Sequence, residues 1–210
     1  WYNHYTAVGG DWSRMLISGN HQFRGLTMER VFMLRRNPAD KVDDLLSILQ
    51  ENGGGISTVF AHHTEKDMNY VLQKPWCSVG SDGSAYAIAG PLRVGNPHPR
   101  NFGTFPRVLG KYVRQENLLS LEDAVRKMTS LNANKVGLHD RGLVKIGFAA
   151  DIVIFNAETV IDQSTYTVPF AYPLGIPYVI VNGLITIKDG EHTGTRAGTA
   201  LRKGTTRKTN

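Results

Sequence analysis

Between residues 38 and 137, apolar residues at helical spacing alternate with short apolar runs that are typical of buried strands. Helices are predicted at 38–52 and 65–73, and strands at 56–61 and 76–80. This alternation is typical of βα units on a parallel sheet, an α/β fold. We therefore expect strands 56–61 and 76–80 to be parallel neighbours, joined by helix 65–73 in a right-handed crossover.

Capping residues support the predicted helix boundaries. Asn37 is a candidate N-cap and Pro38 a candidate first residue for helix 38–52. Thr64 and Asp67 resemble a capping pair for the next helix. The residues expected to face inward are Val42, Leu45, Leu46 and Leu49 in the first helix, and Met68, Val71 and Leu72 in the second.

Two more helical stripes follow a loop that is rich in glycine and proline and extends to Gly103. The first stripe begins at Phe105, and a capping pair of Ser120 and Asp123 opens the second. The helical pattern therefore continues to about residue 137. The apolar positions are Phe105, Val108, Leu109 and Tyr112 in the first stripe, and Leu121, Ala124, Val125, Met128 and Leu131 in the second.

After Gly142 the pattern changes to short strands separated by turn residues. Strand-like segments occupy residues 143–147, 151–155 and 178–187. Asn182-Gly183 between apolar runs is a strong hairpin signal. We therefore predict a small, mostly antiparallel β unit that follows the α/β unit.

Charge separates a third segment from these two. The formal net charge is +6, and residues 196–210 supply +5 of it from five basic residues without an acid. The rest of the chain is close to neutral, which favours a solvated basic tail over a nucleic-acid-binding surface. We predict three segments, at 1–141, 142–195 and 196–210. The basic residues of the tail are Arg196, Arg202, Lys203, Arg207 and Lys208.

A single cysteine, Cys77, excludes an internal disulfide framework and fits a reducing compartment, so we expect a cytoplasmic protein. No stretch approaches the ~20 apolar residues of a membrane span, and no membrane partner is expected. The sequence opens at Trp1 without an initiator methionine or an apolar leader, and we expect it to continue a longer protein.

Asp82 is the first candidate for chemistry. It follows the predicted strand 76–80 and precedes Gly83, which lets the chain turn. In α/β barrels, active-site groups project from the C-terminal ends of strands. A carboxylate there can accept a proton from a metal-bound water and return it to a leaving amine. The structural alternative is a plain Asp-Gly turn, in which the aspartate bonds its own backbone.

Two other candidates contain histidine. His62 and His63 follow strand 56–61 and are possible metal ligands or acid–base groups, although adjacent side chains on extended backbone point in opposite directions. His98 lies between two prolines that hold its loop extended, and together with Arg100 it suits the binding of a carboxylate. The structural alternatives are a turn at the end of a strand and a rigid surface loop.

The recognised motifs for metal and nucleophile sites are missing. The chain has no His-x-His, His-Glu-x-x-His or Cys-x-x-Cys pattern, no Gly-x-Ser-x-Gly elbow and no Walker loop. A catalytic zinc usually has three protein ligands plus water. We therefore expect no stoichiometric zinc on this chain alone, with His62 and His63 as weak candidates for ligands.

Several runs, in order along nearly the whole chain, closely resemble the D-aminoacylase branch of the amidohydrolase superfamily. The last long run, GLVKIGFAADIVIF, is similar to the superfamily's return from its barrel to a small β domain. The runs are Val79-Gly80-Ser81-Asp82-Gly83, His98-Pro99-Arg100, GTFPRVLG at 103–110, AVRKMT at 124–129, GLVKIGFAADIVIF at 142–155 and Val181-Asn182-Gly183.

The resemblance implies a (β/α)8 TIM-type barrel with a small β-sandwich domain built from both chain ends. A complete barrel takes ~250 residues, so residues 1–141 would be its C-terminal segments and residues 142–195 strands of the sandwich. The implied activity is zinc-dependent hydrolysis of N-acyl-D-amino acids to a carboxylate and a D-amino acid. In such an enzyme Asp82 follows the eighth strand and acts as general base and acid.

The resemblance also places the zinc ligands upstream of Trp1. The expected partners are therefore a small-molecule N-acyl amino acid and the missing N-terminal half of the same enzyme, without which this chain is expected to be inactive. Zn2+ is expected in the complete enzyme, and none on this chain alone.

Two departures from the superfamily's pattern are visible. Leu131-Asn132-Ala133 stands where Asn-Pro-Ala or Leu-Pro-Ala is frequent, and we expect this change to leave the site untouched. The loop from Ser84 to Asn96 differs from the D-aminoacylase pattern, which often has a histidine soon after the glycine that matches Gly83. The acyl group and the D-side chain of the substrate therefore stay open.

Other functions also stay open. One alternative is a related ring-opening or dipeptide-cleaving amidohydrolase, of the dihydroorotase, hydantoinase or dipeptidase type. Another is a non-catalytic remnant or binding module. The Gly-Thr-Phe-Pro-Arg run favours the deacylase branch.

Overall fold

The computed structural model describes residues 3–19, 21–36 and 40–202 of the 210-residue chain. Asn37 and Pro38, predicted to start a helix, and residues 203–210 of the predicted basic tail lie outside this part. The chain forms two units. The first comprises Trp1–Met68, Tyr86–His98 and Thr165–Phe170, and the second Asn69–Ala85, Pro99–Ser164 and Ala171–Asn210. None of the helices in the described ranges is long and apolar enough to cross a bilayer.

In the first unit, short helices pack against a two-stranded antiparallel sheet, in which Leu16 lies opposite Val59. Its elements are α1 (His4–Ala7), a 3-10 turn (Trp12–Arg14), β1 (Met15–Ile17), α2 (Met28–Arg35), α3 (Lys41–Glu51), β2 (Thr58–Phe60) and a second 3-10 turn (Gly90–Leu92). The buried core residues are Val8, Met15, Ile17, Met28, Val31, Phe32 and Ile48.

Arg35 links α2 to α3. Its Nε lies 2.7 Å from Asp44 Oδ1, and its Nη2 lies 2.7 Å from Glu51 Oε1. The side chain of Asp44 is only 1% exposed, and a carboxylate that leaves water needs such a partner. The hydrogen bond from Arg35 also lowers the pKa of Glu51 from its ordinary value.

The inward face of α3 differs from the predicted one. Asp44 and Ile48 are buried, whereas Val42 and Leu46 are exposed at 53% and 56%. The ion pair with Arg35 allows Asp44 to be buried on the inward face of α3. Two of the four residues predicted to face inward, Val42 and Leu46, point to solvent instead.

Helix α4 (Glu65–Leu72) leads from the first unit into the second. Its predicted cap is confirmed, since Thr64 Oγ1 accepts a hydrogen bond from Asp67 N at 3.1 Å. Leu72 is buried as predicted, but Met68 and Val71 are exposed.

The second unit contains four consecutive helical segments and four strands. The predicted cap at Ser120 is confirmed by its hydrogen bond from Asp123 N at 3.2 Å. The elements are α5 (Arg100–Arg107), a π-helix (Val108–Gln115), α6 (Leu121–Met128), α7 (Ser130–Val136), β3 (Ile152–Ile154), β4 (Tyr178–Val181), β5 (Leu184–Lys188) and β6 (Glu191–His192). The buried core residues are Leu72, Val79, Val108, Leu109, Tyr112, Leu119, Ala124 and Val160.

Residues 76–80 do not form the predicted strand. Strand β2 pairs antiparallel with β1, so the predicted parallel pair and its right-handed crossover are wrong for this chain. The carbonyl groups just before Asp82 bind side chains of α6 and α7 instead of a neighbouring strand, as at Val79 O, which accepts from Asn132 Nδ2 at 2.7 Å.

Strands β3, β4, β5 and β6 form an antiparallel sheet in that order. Asn182 and Gly183 join β4 to β5 with φ values of 50° and 82°, which is the backbone of a type I′ hairpin turn and confirms that prediction. The predicted strand at 143–147 is wrong, since Val144 and Ile146 are 90% and 100% exposed and the segment has no regular structure. The predicted domain boundary at 141/142 stays a prediction.

One face of α5 and the π-helix packs closely against a loop of the same unit. A Cβ atom on Gly110 would lie 2.7 Å from Val160 O, and one on Gly103 would also clash with this loop. Between them, Arg107 Nε lies 3.1 Å from Asp162 Oδ2. The glycines of the GTFPRVLG run therefore allow the loop to approach the helix backbone.

The close contact between Gly110 and Val160 predicts that an added methyl group destabilises the protein. Gly110→Ala should lower the free energy of unfolding by ~1–3 kcal/mol, because the new Cβ overpacks the contact with Val160. Urea denaturation measures the change. The control is Gly55→Ala, where no atom lies within 4 Å of the added Cβ. Equal stability of the two variants would contradict the close packing.

Candidate functional site

Asp82 lies in an irregular turn. Its φ of 47° is in the left-handed region, which residues other than glycine seldom adopt. The side chain is 84% exposed. Ser81, not Asp82, caps the turn, because Ser81 Oγ accepts the hydrogen bond from Gly83 N at 3.2 Å. The carboxylate is therefore presented to solvent, unlike that of a plain Asp-Gly turn.

Arg100 binds Asp82 twice. Its Nη2 lies 2.7 Å from Asp82 Oδ2, and its Nε donates to Asp82 O at 2.9 Å. A guanidinium group has rigidly spaced donors, so two bonds to one residue fix the direction of its carboxylate. The structure thus brings together Asp82 and Arg100, two of the predicted site residues. Their roles in catalysis and substrate binding stay predictions.

Asn101 was not predicted. Its Oδ1 accepts a hydrogen bond from Ser84 N at 2.6 Å, so it holds the turn on the side that follows Asp82. The first turn of α5 therefore supplies two neighbouring side chains to the same loop. The apolar stripe begins only at Phe105, so the helix was predicted to start there and Arg100 and Asn101 were expected in a loop.

His98, the other predicted substrate-binding residue, lies in the first unit. Its ring meets that of Tyr166 edge-on, with the centroids 5.0 Å apart. The contacts that hold the Asp82 turn come from Arg100 and Asn101, and the role of His98 in substrate binding stays a prediction.

His62 packs in an aromatic stack. Its Nε2 lies 3.2 Å from His4 Nδ1, and the ring of His4 stacks on Phe60 at a centroid distance of 4.5 Å. Burial lowers the pKa of His62 from its ordinary value, and the nearby His4 and His63 rings lower it further, which favours the neutral imidazole.

Among the residues that the structure describes, no three histidine, cysteine, aspartate or glutamate side chains converge to hold a metal ion. His62 and His63 belong to no such group. A catalytic zinc with three protein ligands therefore does not fit the side chains of this part of the chain by themselves.

Residues 77–187 match the sequence model of the amidohydrolase family, a region that includes Asp82, Arg100 and Asn101. The chain belongs to this family. Its relationship to known structures confirms that it is part of an amidohydrolase barrel fold, although the described residues form no closed barrel by themselves.

The relatives that this chain matches include deacylases of N-acyl-D-amino acids. An N-acyl-D-glutamate deacylase of Alcaligenes xylosoxydans xylosoxydans is 45% identical over 119 residues, which are 57% of this chain and 23% of that protein. A solved D-aminoacylase with a binuclear metal centre gives a TM-score of 0.74 at 36% identity, covering 90% of this chain and 38% of that one.

A second solved structure is the N-acyl-D-glutamate deacylase from Bordetella bronchiseptica, in complex with zinc and a phosphonate inhibitor that mimics the tetrahedral intermediate. It gives a TM-score of 0.73 at 30% identity, covering 92% of this chain and 38% of that one. This amidohydrolase chain thus spans well under half the length of the relatives it resembles.

The lack of three converging ligand side chains among the described residues leads to a prediction about zinc binding. After equilibration with Zn2+ and desalting, this chain alone should retain much less than one zinc per molecule, because a catalytic zinc needs three protein ligands. Elemental analysis measures the ratio. One tightly held zinc per chain would contradict the prediction, and its loss in His62→Ala would locate the site at the His4–His62 contact.

Proposed function

We propose that this chain is the C-terminal portion of a zinc-dependent N-acyl-D-amino-acid deacylase, with Asp82 as its general base and acid. The observation that carries the proposal is the exposed Asp82 carboxylate, held by Arg100 at 2.7 Å, within the region that matches the amidohydrolase family. The deacylase relatives support this reaction class.

Amide hydrolysis requires two proton transfers. A group must accept the proton of the attacking water, and the departing nitrogen must receive a proton before it leaves. One exposed carboxylate within hydrogen-bond reach can perform both transfers. The two bonds from Arg100 hold Asp82 in one orientation, so it does not have to be ordered during each turnover.

Zinc in the complete enzyme supplies Lewis-acid activation, and its ligands belong to the portion outside this chain. Arg100 and His98 are proposed to bind the carboxylate of the N-acyl-D-amino acid. A guanidinium fork suits a carboxylate, and Arg100 would then set the distance between the substrate and Asp82. Arg100 would then contact both the substrate carboxylate and Asp82, which transfers the proton.

The proposed partner is the remaining portion of the same enzyme. Val144 and Ile146 are almost fully exposed, and they precede β3, an edge strand whose Val153 is 53% exposed. Edge strands carry backbone groups that are ready to pair with another strand. We infer that the β3 edge pairs with a strand of the portion that this chain does not include, and that this portion covers the exposed Val144 and Ile146.

An activity assay on the complete, zinc-loaded enzyme tests the function. It should release acetate and the D-amino acid from at least one of N-acetyl-D-glutamate, N-acetyl-D-aspartate and a neutral N-acetyl-D-amino acid, and leave the L-enantiomers intact. Hydrolysis of dihydroorotate, a hydantoin or a dipeptide instead would favour the ring-opening or dipeptidase alternatives. An enzyme that turns over none of these substrates would favour the non-catalytic alternative and contradict the proposal.

Asp82→Asn tests the catalytic role. Asparagine is nearly isosteric and tolerates the left-handed backbone, but it cannot accept the proton. The value of kcat should fall by ~10²–10⁴, with folding and zinc content unchanged. Asp189→Asn is the matched control, because Asp189 also precedes a glycine and has a φ of 53°. Near-native kcat in Asp82→Asn would make Asp82 a turn residue only.

Arg100→Ala tests substrate binding. Loss of a charge-assisted contact to the substrate carboxylate should raise KM by ~10–100-fold. The value of kcat should fall less than in Asp82→Asn, because the carboxylate loses its orienting partner but stays in place. Steady-state kinetics separate the two effects, and an unchanged KM would remove Arg100 from the substrate site.

A further inference from the structure

The carbonyl groups that precede the Asp82 turn are bound by side chains from two helices. Of the six carbonyls from Lys74 to Val79, five accept hydrogen bonds from α6 or α7. Lys127 Nζ binds Lys74 O and Cys77 O (3.1 Å), Arg126 Nη2 binds Pro75 O (2.8 Å), Lys135 Nζ binds Trp76 O (2.7 Å), and Asn132 Nδ2 binds Val79 O (2.7 Å). We call Arg126, Lys127, Asn132 and Lys135 the donor set.

Lys127 is the central member of the donor set. Its side chain is 0% exposed, and an ammonium group is costly to bury unless its protons find acceptors. The acceptors are the two carbonyls, and the carboxylate of Asp123 forms an ion pair with the ammonium group, with Oδ2 at 3.6 Å. Its own backbone takes part as well, since Lys127 O accepts from Val79 N at 3.1 Å. Residues 74–79 are therefore bound to α6 at both ends of this segment, at Lys74 and at Val79.

Asn132 adds a contact that the sequence analysis did not expect. Asn132 Nδ2 donates to Val79 O at 2.7 Å, three positions before Asp82. This bond reaches the backbone that leads into the Asp82 turn, and the expectation that the Leu131-Asn132-Ala133 departure leaves the site untouched stays a prediction.

These contacts fix the segment that precedes the turn, whereas Arg100 binds Asp82 itself and Asn101 binds Ser84, which follows it. Only Gly80 and Ser81 separate Val79 from Asp82, so an anchored Val79 limits the positions that the carboxylate can reach. We infer that the donor set consists of positioning residues that place Asp82 for proton transfer, an inference that rests on the proposed function of Asp82. Lys127 is the most important of them because it binds both ends of the segment.

The first experiment compares Lys127→Met with Lys66→Met in the complete, zinc-loaded enzyme. Lys66 is an exposed lysine on α4 and serves as the matched control. Amide hydrogen exchange, measured by mass spectrometry without substrate, should become faster in peptides covering residues 75–84 in Lys127→Met only. The value of kcat should fall by ~10²-fold, the cost of a misplacement of about 1 Å, while KM and zinc content change little.

A double-mutant cycle separates positioning from general damage. If Lys127 acts through Asp82, then adding Lys127→Met to Asp82→Asn should lower kcat by no more than ~2-fold beyond Asp82→Asn alone. A further ~10²-fold loss in the double variant would show that Lys127 acts independently of Asp82, and it would overturn the inference.

Asn132→Asp is the second variant, and it serves if Lys127→Met does not fold. It keeps the size of the side chain but faces Val79 O with an oxygen instead of a donor, so exchange at residues 75–84 should again rise. Unchanged exchange in the variants that fold overturns the inference, whatever the enzyme hydrolyses. If the unsubstituted enzyme lacks deacylase activity, the proposed function fails and the catalytic half of the inference fails with it, whereas the exchange data still decide the structural half.

Discussion

The carbonyl groups of the segment before Asp82 accept hydrogen bonds, in partly buried contacts at Lys74, Cys77 and Val79, and the source of the donors determines how this segment is built. In a sheet, the donors are amide groups of a neighbouring strand. In this chain they are lysine, arginine and asparagine side chains of α6 and α7, among which Lys127 is fully buried. The segment thereby takes a defined course without sheet pairing, and the position of the Asp82 turn follows from it.

Helix α5 contacts the Asp82 turn with one of its surfaces and a loop of the same unit with another. Its first turn carries Arg100 and Asn101 to the Asp82 turn. On another surface, Gly103 of α5 and Gly110 of the π-helix that follows it admit a loop that would collide with a larger residue at either position. The GTFPRVLG run, which is so characteristic of the family resemblance, is therefore a packing surface next to the site. It connects the course of that loop with the helix that orients the proposed catalytic carboxylate.

Local signals in the sequence predicted local structure well. The Asn182-Gly183 turn needed only the backbone preference of its two residues. The contact between Asp82 and Arg100 was not predicted: both were candidate site residues, but nothing in the intervening loop encodes a bond between them. The inward face of α3 was not predictable from apolar spacing, because Asp44 is buried by a pair with a distant arginine. The predicted strand at 76–80 is wrong for a related reason: an apolar run does not show whether a partner strand lies beside it.

The contacts around Asp82 also bear on how the protein ages chemically. An Asp-Gly sequence can cyclise when the glycine nitrogen attacks the side-chain carboxyl, and reopening of the succinimide ring leaves a β-linked backbone. At Asp82 both reacting groups are engaged, Gly83 N with Ser81 Oγ and the carboxylate with Arg100. Cyclisation requires both bonds to break first. The interactions that aim the carboxylate therefore also protect it from isomerisation.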